Sequence, residues 1–127
     1  MSKKIKVAIK KLSRDDWQIY RDIRLKALTH DPNAFSSSFG EESMLTELIW
    51  RERIDAMRSA LVDSEIVGLA GLLRDNKSPE DGIVISIWVK PLFRRQRIAE
   101  TLLREIQILA VACAMRKLSI QVTFVQD

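Results

Sequence analysis

A cluster of three arginines is the part of this sequence with the clearest potential for chemistry. Arg94, Arg95 and Arg97 follow an apolar, β-branched run that ends just before a proline. Apolar residues resume at helical spacing from Ala99 onward, so the cluster lies where a strand gives way to a helix. Because a helix start offers free backbone N–H groups and the positive end of the helix dipole, this arrangement predicts a phosphate site.

Two interpretations of the cluster stay open at this point. Arginines next to a helix N-terminus are each disfavoured by about 0.3–1 kcal/mol through the helix dipole, and a bound anion would reverse that penalty. Exposed arginines at a turn also occur as plain solvated surface residues. The net charge of +4 is compatible with an anionic ligand or with nucleic acid, and it does not distinguish between these two partners.

Hydrophobic periodicity predicts the elements that position this cluster. Ile5, Val7 and Ile9 alternate with lysines and predict a first strand. Ser13 and Asp16 have the spacing of a capping box ahead of a helix. The rest of the pattern predicts, in chain order, a helix at 14–29, a helix at 44–58, a hairpin at 60–73, a strand at 83–89, a helix at 98–115 and a strand at 118–124.

The order β-α-α-β-β-β-α-β predicts an α/β fold with a mixed, mainly antiparallel sheet and helices on both faces. The strands at 83–89 and 118–124 should run parallel, because the helix between them joins them in a right-handed crossover. The strand at 83–89 is apolar enough to be central and buried on both faces. The length of 127 residues predicts one domain, residues 1–127.

The arginine cluster belongs to a longer segment that resembles a known signature. The run from Val89 to Ala99 is similar to the acetyl-CoA signature of the GNAT superfamily of acetyl-CoA-dependent N-acetyltransferases. That signature reads Gln or Arg, two variable residues, Gly, one variable residue, then Gly or Ala, after a V-x-P strand end. Arg94 matches its first position and Ala99 its last. Further likeness at 24–35, 65–72 and 118–122 extends the resemblance over roughly residues 5–125, in the family's order.

The resemblance implies that acetyl-CoA is the co-substrate and that an amine accepts the acetyl group. A small molecule, a peptide N-terminus and a lysine all stay open as acceptors, and the catalytic base and acid are unassigned. By the same analogy the pantetheine arm pairs with the backbone of the strand at 83–89, and the pyrophosphate lies on the turn that follows. The implied cofactor-binding residues are Ile87, Trp88, Val89, Arg94, Arg95, Gln96, Arg97, Ile98 and Ala99.

Two departures from the family pattern bear on activity. Arg97 replaces the central glycine, so its side chain either obstructs the pyrophosphate, forces another φ, or contacts phosphate directly. Family members normally continue past the fifth strand into a helix and two strands that bring an asparagine and a tyrosine. Here the chain stops at Asp127, with Gln126 near the asparagine position. The alternative is therefore a shortened, catalytically impaired relative that binds acyl-CoA or serves as an interaction module.

Other polar residues give weaker signals. Glu41 and Glu42 are candidates for a general base acting through water, or a solvated pair in a loop. The strand at 83–89 offers Ser86 but no carboxylate. His30, beside Asp31 at the end of a predicted helix, is interpreted as a favourable C-terminal cap.

Composition narrows the class of protein. The single cysteine, Cys113, excludes an internal disulfide and a multi-cysteine metal site, and so favours a reducing cytoplasm. Cys113 lies on the apolar face of the last predicted helix. No apolar run reaches the ~20 residues that span a bilayer, and the basic N-terminus leads into an alternating segment rather than a secretory signal. Trp17, Trp50 and Trp88 are dispersed without an interleaved basic patch, so we interpret them as packing residues rather than as a platform for nucleic-acid bases.

The last predicted strand suggests self-association. If the chain ends at Asp127, the strand at 118–124 presents an apolar row beside unpaired backbone groups. We therefore expect a two-fold homodimer that pairs or packs these C-terminal strands.

Overall fold

A five-stranded sheet forms the centre of the fold. The computed structural model describes residues 6–35 and 37–120. Neighbouring strands in the chain are also neighbours in the sheet; the first three pairs are antiparallel and the last pair is parallel. This confirms the mixed, mainly antiparallel sheet. The strands are β1 (Ala8–Lys10), β2 (Met57–Val62), β3 (Glu65–Arg74), β4 (Asp81–Val89) and β5 (Lys117–Ile120).

Helices pack on both faces of the sheet, as predicted. One core cluster joins the apolar side of the last helix to sheet residues such as Val67 and Val84. A second cluster joins the first and third helices to others such as Met57 and Leu69. The helices are α1 (Trp17–His30), α2 (Phe39–Glu42), α3 (Glu47–Ile54) and α4 (Ile98–Ala112), with 3-10 turns at Arg14–Asp16, Pro32–Ala34 and Pro91–Phe93.

Helix α1 begins and ends at the signals that the sequence contains. The backbone N–H of Ser13 donates to the Asp16 carboxylate at 3.1 Å, which is the interaction expected of a capping box. The helix ends at His30, directly before Asp31 and Pro32, because the residue before a proline is pushed out of the helical region. His30 is exposed in the last turn, in keeping with its interpretation as a C-terminal cap.

The predicted second helix, 44–58, is wrong at both ends. A short helix, α2, already begins at Phe39, and Ser38 caps it by accepting from the Glu41 N–H at 3.1 Å. The chain then leaves helical conformation and restarts at α3, where Thr46 accepts from the Ile49 N–H. Met57 belongs to β2 because its side chain is buried against β3. Capping and sheet pairing therefore decide the boundaries here, rather than apolar spacing.

The structure of the C-terminal region confirms part of the sequence prediction. Helix α4 ends at Ala112, three residues before the predicted end, because Ala114 adopts a left-handed backbone at φ 59° and the Met115 N–H bonds back to Ala110. Cys113 follows the helix and is half-buried. The parallel pairing of β4 with β5 is confirmed. Residues 121–127 lie outside the described residues, so most of the strand predicted at 118–124, and the dimer built on it, stay predictions.

Candidate active site

The turn after β4 has an unusual backbone. Arg95 and Arg97 have φ angles of 64° and 65°, the left-handed region that only glycine enters without penalty. Such a conformation costs a residue with a Cβ about 1–2 kcal/mol. Arg97 is the N-cap residue of α4 and so holds the conformation that a glycine favours at that place. Its side chain has therefore not forced another φ.

A hydrogen-bonded group fixes this turn to the rest of the fold. The Arg94 guanidinium donates through Nε to the Val89 carbonyl at 2.8 Å and through Nη2 to the Asp31 carboxylate at 2.6 Å. The Trp88 indole N–H donates to the same oxygen of Asp31 at 2.8 Å. Burial acts to raise the pKa of Asp31, but the hydrogen bonds from Arg94 and Trp88 outweigh it and lower the pKa below its ordinary value. Asp31 is thus an ionised anchor that ties the end of α1 to the end of β4.

A narrow cleft opens beside this turn. It has a volume of about 410 Å³ and contains eight of the nine cofactor-binding residues expected from the resemblance; Gln96 alone does not line it. Neither Arg95 nor Arg97 forms an ion pair within the described residues, whereas Arg94 is held by Asp31. Two arginines without an ion pair in the described part of the chain and the first residues of a 15-residue helix therefore line one cleft. The lining residues are Asp31, Ile87, Trp88, Val89, Phe93, Arg94, Arg95, Arg97, Ile98 and Ala99.

A wider cleft of about 600 Å³ lies along the other half of the site. At its base the Arg24 guanidinium forks onto the Glu42 carboxylate, with Nε–Oε1 at 2.9 Å and Nη2–Oε2 at 2.8 Å. Both residues are buried, with 7% and 2% of their surface exposed. The third nitrogen of Arg24, Nη1, donates to the Ser86 hydroxyl of β4 at 3.2 Å. One side chain therefore joins α1, α2 and β4.

The surroundings of Glu42 decide what it can do. Burial acts to raise its pKa, but the hydrogen bonds and charges of Arg24, with help from Ser37 and Arg53, lower it below the ordinary value. Both carboxylate oxygens already accept bonds from arginine, so Glu42 is poorly placed to remove a proton. Its neighbour Glu41 is exposed and does not line the cleft; within the described residues its carboxylate accepts one hydrogen bond, from the Ser37 hydroxyl at 3.4 Å.

Two lining residues of the wide cleft escaped the sequence analysis. Tyr20 lines the cleft and is only 3% exposed. Burial raises its pKa, with the charges of Arg24 and Arg53 opposing. The spacing of Tyr20 and Arg24, one helical turn apart, was the available signal that they share a face. Glu52 of α3 also lines the cleft, and nothing in its local sequence marks it.

A β-bulge in β4 places the two clefts against consecutive residues. Leu69 pairs with Trp88 and Gly71 with Ile85, so Ser86 and Ile87 together oppose the single residue between them in β3. Ser86 has φ 56°. Residues 85 and 86 line the wide cleft, while residues 87–89 line the narrow one. The change from one cleft to the other along β4 therefore falls at the bulge.

Comparison with known proteins identifies the family. The sequence profile of the acetyltransferase (GNAT) family matches residues 14–126. The chain belongs to this family. A search of curated protein sequences gives no match.

Solved structures of GNAT proteins have the same fold at low sequence identity. An acetyltransferase of the GNAT family from Streptococcus pneumoniae aligns with a TM-score of 0.74 and 16% identity, over 92% of this chain and 75% of that one. PaiA N-acetyltransferase from Thermoplasma acidophilum, in complex with coenzyme A, gives 0.73 and 16%, over 93% and 80%. Diaminobutyrate acetyltransferase EctA from Paenibacillus lautus, with L-2,4-diaminobutyric acid and coenzyme A, gives 0.68 and 19%, over 93% and 66%.

Other features of this GNAT member are structural. Trp50 and Trp88 are buried and Trp17 is half-buried, as expected of packing residues. Within the described residues, no group of three or more His, Cys, Asp or Glu side chains could hold a metal ion. None of the described helices is long and apolar enough to cross a membrane.

Proposed function

We propose that this protein transfers an acetyl group from acetyl-CoA to an amine. The observation that carries the proposal is that the two clefts are lined by consecutive residues of β4 at its bulge. A donor in the narrow cleft and an acceptor in the wide cleft would bring their reacting atoms together at Ser86 and Ile87. Membership of the acetyltransferase (GNAT) family supports the same reaction.

The residues of the narrow cleft fit coenzyme A. Arg95 and Arg97 supply positive charge next to the N-terminus of α4, where backbone N–H groups and the helix dipole favour phosphate. The apolar side chains of Ile87 and Val89 provide a wall for the pantetheine arm. Arg94 is held by Asp31 and Val89, so we assign it to positioning the turn.

Acetyl transfer needs an uncharged amine and stabilisation of the negative charge that develops on the thioester carbonyl oxygen. The amine nitrogen forms a C–N bond to the carbonyl carbon, the C–S bond breaks, and the CoA thiolate leaves and takes up a proton. A bulge leaves backbone groups outside the strand ladder, so an N–H at Ser86 or Ile87 is available to bind the developing oxyanion.

Two side chains of the wide cleft are candidates for the proton transfers. Glu52 is the lining carboxylate that arginine does not hold, so we propose it as the acceptor of the amine proton, directly or through water. The raised pKa of Tyr20 keeps its phenol protonated at neutral pH. Its hydroxyl can therefore donate a hydrogen bond to a ligand in the cleft.

The test has a binding arm and a turnover arm. We expect calorimetric titration to show binding of coenzyme A and acetyl-CoA, and a thiol assay to show CoA release that depends on an amine. The double variant R95E/R97E should bind coenzyme A more than about tenfold more weakly, a loss of at least about 1.4 kcal/mol. R104E is the matched control, since Arg104 lies on the exposed side of α4 and pairs only with Glu100 within the described residues. Unchanged affinity in the double variant would contradict the assignment of the turn.

The alternative from the sequence, a module that binds acyl-CoA without catalysis, has one structural point in its favour. Glu42, a candidate base, has both carboxylate oxygens bonded to arginine. Binding of acetyl-CoA without amine-dependent CoA release across a broad set of amines would favour this alternative.

Three further proposals concern the whole chain. We propose that residues 1–127 act as one acyl-CoA-binding domain in the cytoplasm, and that the protein is a homodimer. Ile120 of β5 is 47% exposed, which supports an apolar contact at this edge of the described sheet. Light scattering at micromolar concentration should report twice the monomer mass; a clean monomer would contradict the dimer.

A further inference from the structure

Three charged side chains, Arg24, Arg53 and Glu42, form a hydrogen-bonded triad at the base of the wide cleft. Arg24 satisfies Glu42 with a two-pronged contact at 2.8–2.9 Å. Arg53 reaches the same carboxylate with a single contact, Nη1–Oε1 at 3.3 Å, and its side chain is 42% exposed. Two guanidinium groups therefore share one carboxylate, which leaves one positive charge in excess within this triad.

Arg53 is held in position with most of its donors unused. It lies in the last turn of α3, with its guanidinium carbon 5.8 Å from the centre of the buried Trp50 ring. A guanidinium carries five N–H donors, and only one bond from Arg53 is present within residues 6–35 and 37–120. Its fork is thus free to bind a planar, singly charged anion in the cleft that it lines.

The preceding residue supplies the opposite charge. Glu52 lines the same cleft and forms no ion pair within the described part of the chain. The cleft therefore presents a carboxylate and an unsaturated guanidinium together. A ligand that carries both an ammonium and a carboxylate is complementary to this pair, whereas a polyamine would have to approach two arginines.

We propose that the acceptor is a small amine that also carries a carboxylate, an amino acid or a close relative, and that Arg53 binds that carboxylate. This inference rests on the proposed acetyl transfer. The cleft volume of about 600 Å³ is in the range of small-molecule sites.

The experiment compares amino acids with their own amides, which keep the amine and side chain but lose the negative charge. The panel runs from glycine to phenylalanine, with 1,4-diaminobutane as an amine that carries no acid. CoA release gives kcat/KM, and saturation-transfer NMR gives binding independently of turnover. We expect the acids to be preferred over their amides by about tenfold or more, the scale of one charge-assisted hydrogen-bonded contact.

Substitutions locate the preference. R53Q should reduce the acid-to-amide ratio to near one, and R53K, which keeps the charge but loses the fork, should give an intermediate ratio. R51Q is the matched control on the same helix, because Arg51 pairs with Asp15 and Glu47 and does not line the cleft; it should keep the wild-type ratio. Circular dichroism checks that each variant is folded, and R53K carries the test if R53Q is not.

The outcomes separate this inference from the proposed function. Acids and amides used or bound equally well by the wild type would overturn the acceptor class and leave acetyl transfer standing. So would an acid preference that survives in both R53Q and R53K. Preferential binding of acids with no CoA release from any amine would support the charge preference and overturn acetyl transfer. No binding of any acid by NMR would overturn the inference outright.

Discussion

The two clefts are built in opposite ways. Nine of the ten residues that line the narrow cleft fall between positions 87 and 99, and Asp31 alone comes from elsewhere. The wide cleft draws its lining from residues scattered between Tyr20 and Ser86, on several helices and strands. A site made by one continuous segment can be found from local sequence, whereas a site assembled from distant segments exists only after folding.

The arginines differ in the same way. Two of the three arginines that line the narrow cleft, Arg95 and Arg97, form no ion pair within the described residues, whereas Arg94 is held by Asp31. Arg24 of the wide cleft is buried against Glu42. Charge changes in the narrow cleft should therefore act on ligand binding, and charge changes at the base of the wide cleft should act first on stability.

The largest effect is expected for Glu42→Gln. Removing one partner of a buried ion pair typically costs about 3–5 kcal/mol, because the remaining charge is left uncompensated. Urea unfolding should show this loss in the free energy of unfolding, while E41Q, at an exposed neighbouring position, should change it little. A loss below about 1 kcal/mol for E42Q would show that the pair is not a main support of the fold.

The same pair should make stability depend on pH. The pKa of Glu42 is lower in the folded protein than its ordinary value of 4.5, so the folded state holds its proton less tightly than the unfolded state. The stabilisation is therefore present above pH 4.5 and is lost as the pH falls through the lower folded value. Unfolding free energies measured across the acid range should fall less steeply in E42Q than in the wild type.

The double variant R95E/R97E tests whether charge changes in the narrow cleft act on ligand binding rather than on stability. Its coenzyme A affinity should fall by more than about tenfold, yet its free energy of unfolding should not fall, because the dipole of α4 disfavours the two arginines that are removed. Titration and urea unfolding of the same preparation give both values. A large loss of stability here would remove the distinction between the two clefts.

Asp31→Asn is expected to have an intermediate effect on both quantities. The amide still accepts a hydrogen bond from Trp88 but no longer attracts Arg94, so stability should fall by about 1 kcal/mol. Coenzyme A affinity should fall a few-fold, because Arg94 positions the turn. The control is D22N, since Asp22 is an exposed residue of α1 whose one ion pair within the described residues, to Arg21, is long at 3.6 Å. Wild-type affinity in D31N would show that the turn holds its shape without this anchor.

The smallest effect separates the backbone of Arg97 from its side chain. R97G relieves the left-handed conformation and R97A keeps it, so R97G should be more stable than R97A by up to about 1 kcal/mol. Both lack the guanidinium, so we expect both to bind coenzyme A several-fold more weakly than the wild type. If R97G instead binds more tightly than R97A and the wild type, the Cβ of Arg97 is an obstruction rather than a neutral feature.

The order of the strands, the mixed sheet and the strand–turn–helix segment around residues 83–112 could be predicted from the sequence alone. These follow from signals that act over a few residues, such as alternating apolar side chains, helical spacing and Pro32 and Pro91 as breakers. Sequence prediction failed at 44–58, where caps at Ser38 and Thr46 and pairing with β3 decided between helix and strand.

The wide cleft and the anchoring of the turn depend on contacts between residues that are far apart in the sequence. Arg24 lies 18 residues from Glu42 and 62 from Ser86, and Arg94 lies 63 from Asp31. No local sequence pattern predicts such pairs, because each partner alone is an ordinary polar residue. The left-handed backbone conformations of Ser86 and Arg97 also depend on the tertiary structure, since a residue with a Cβ takes that conformation only where the surrounding fold imposes it.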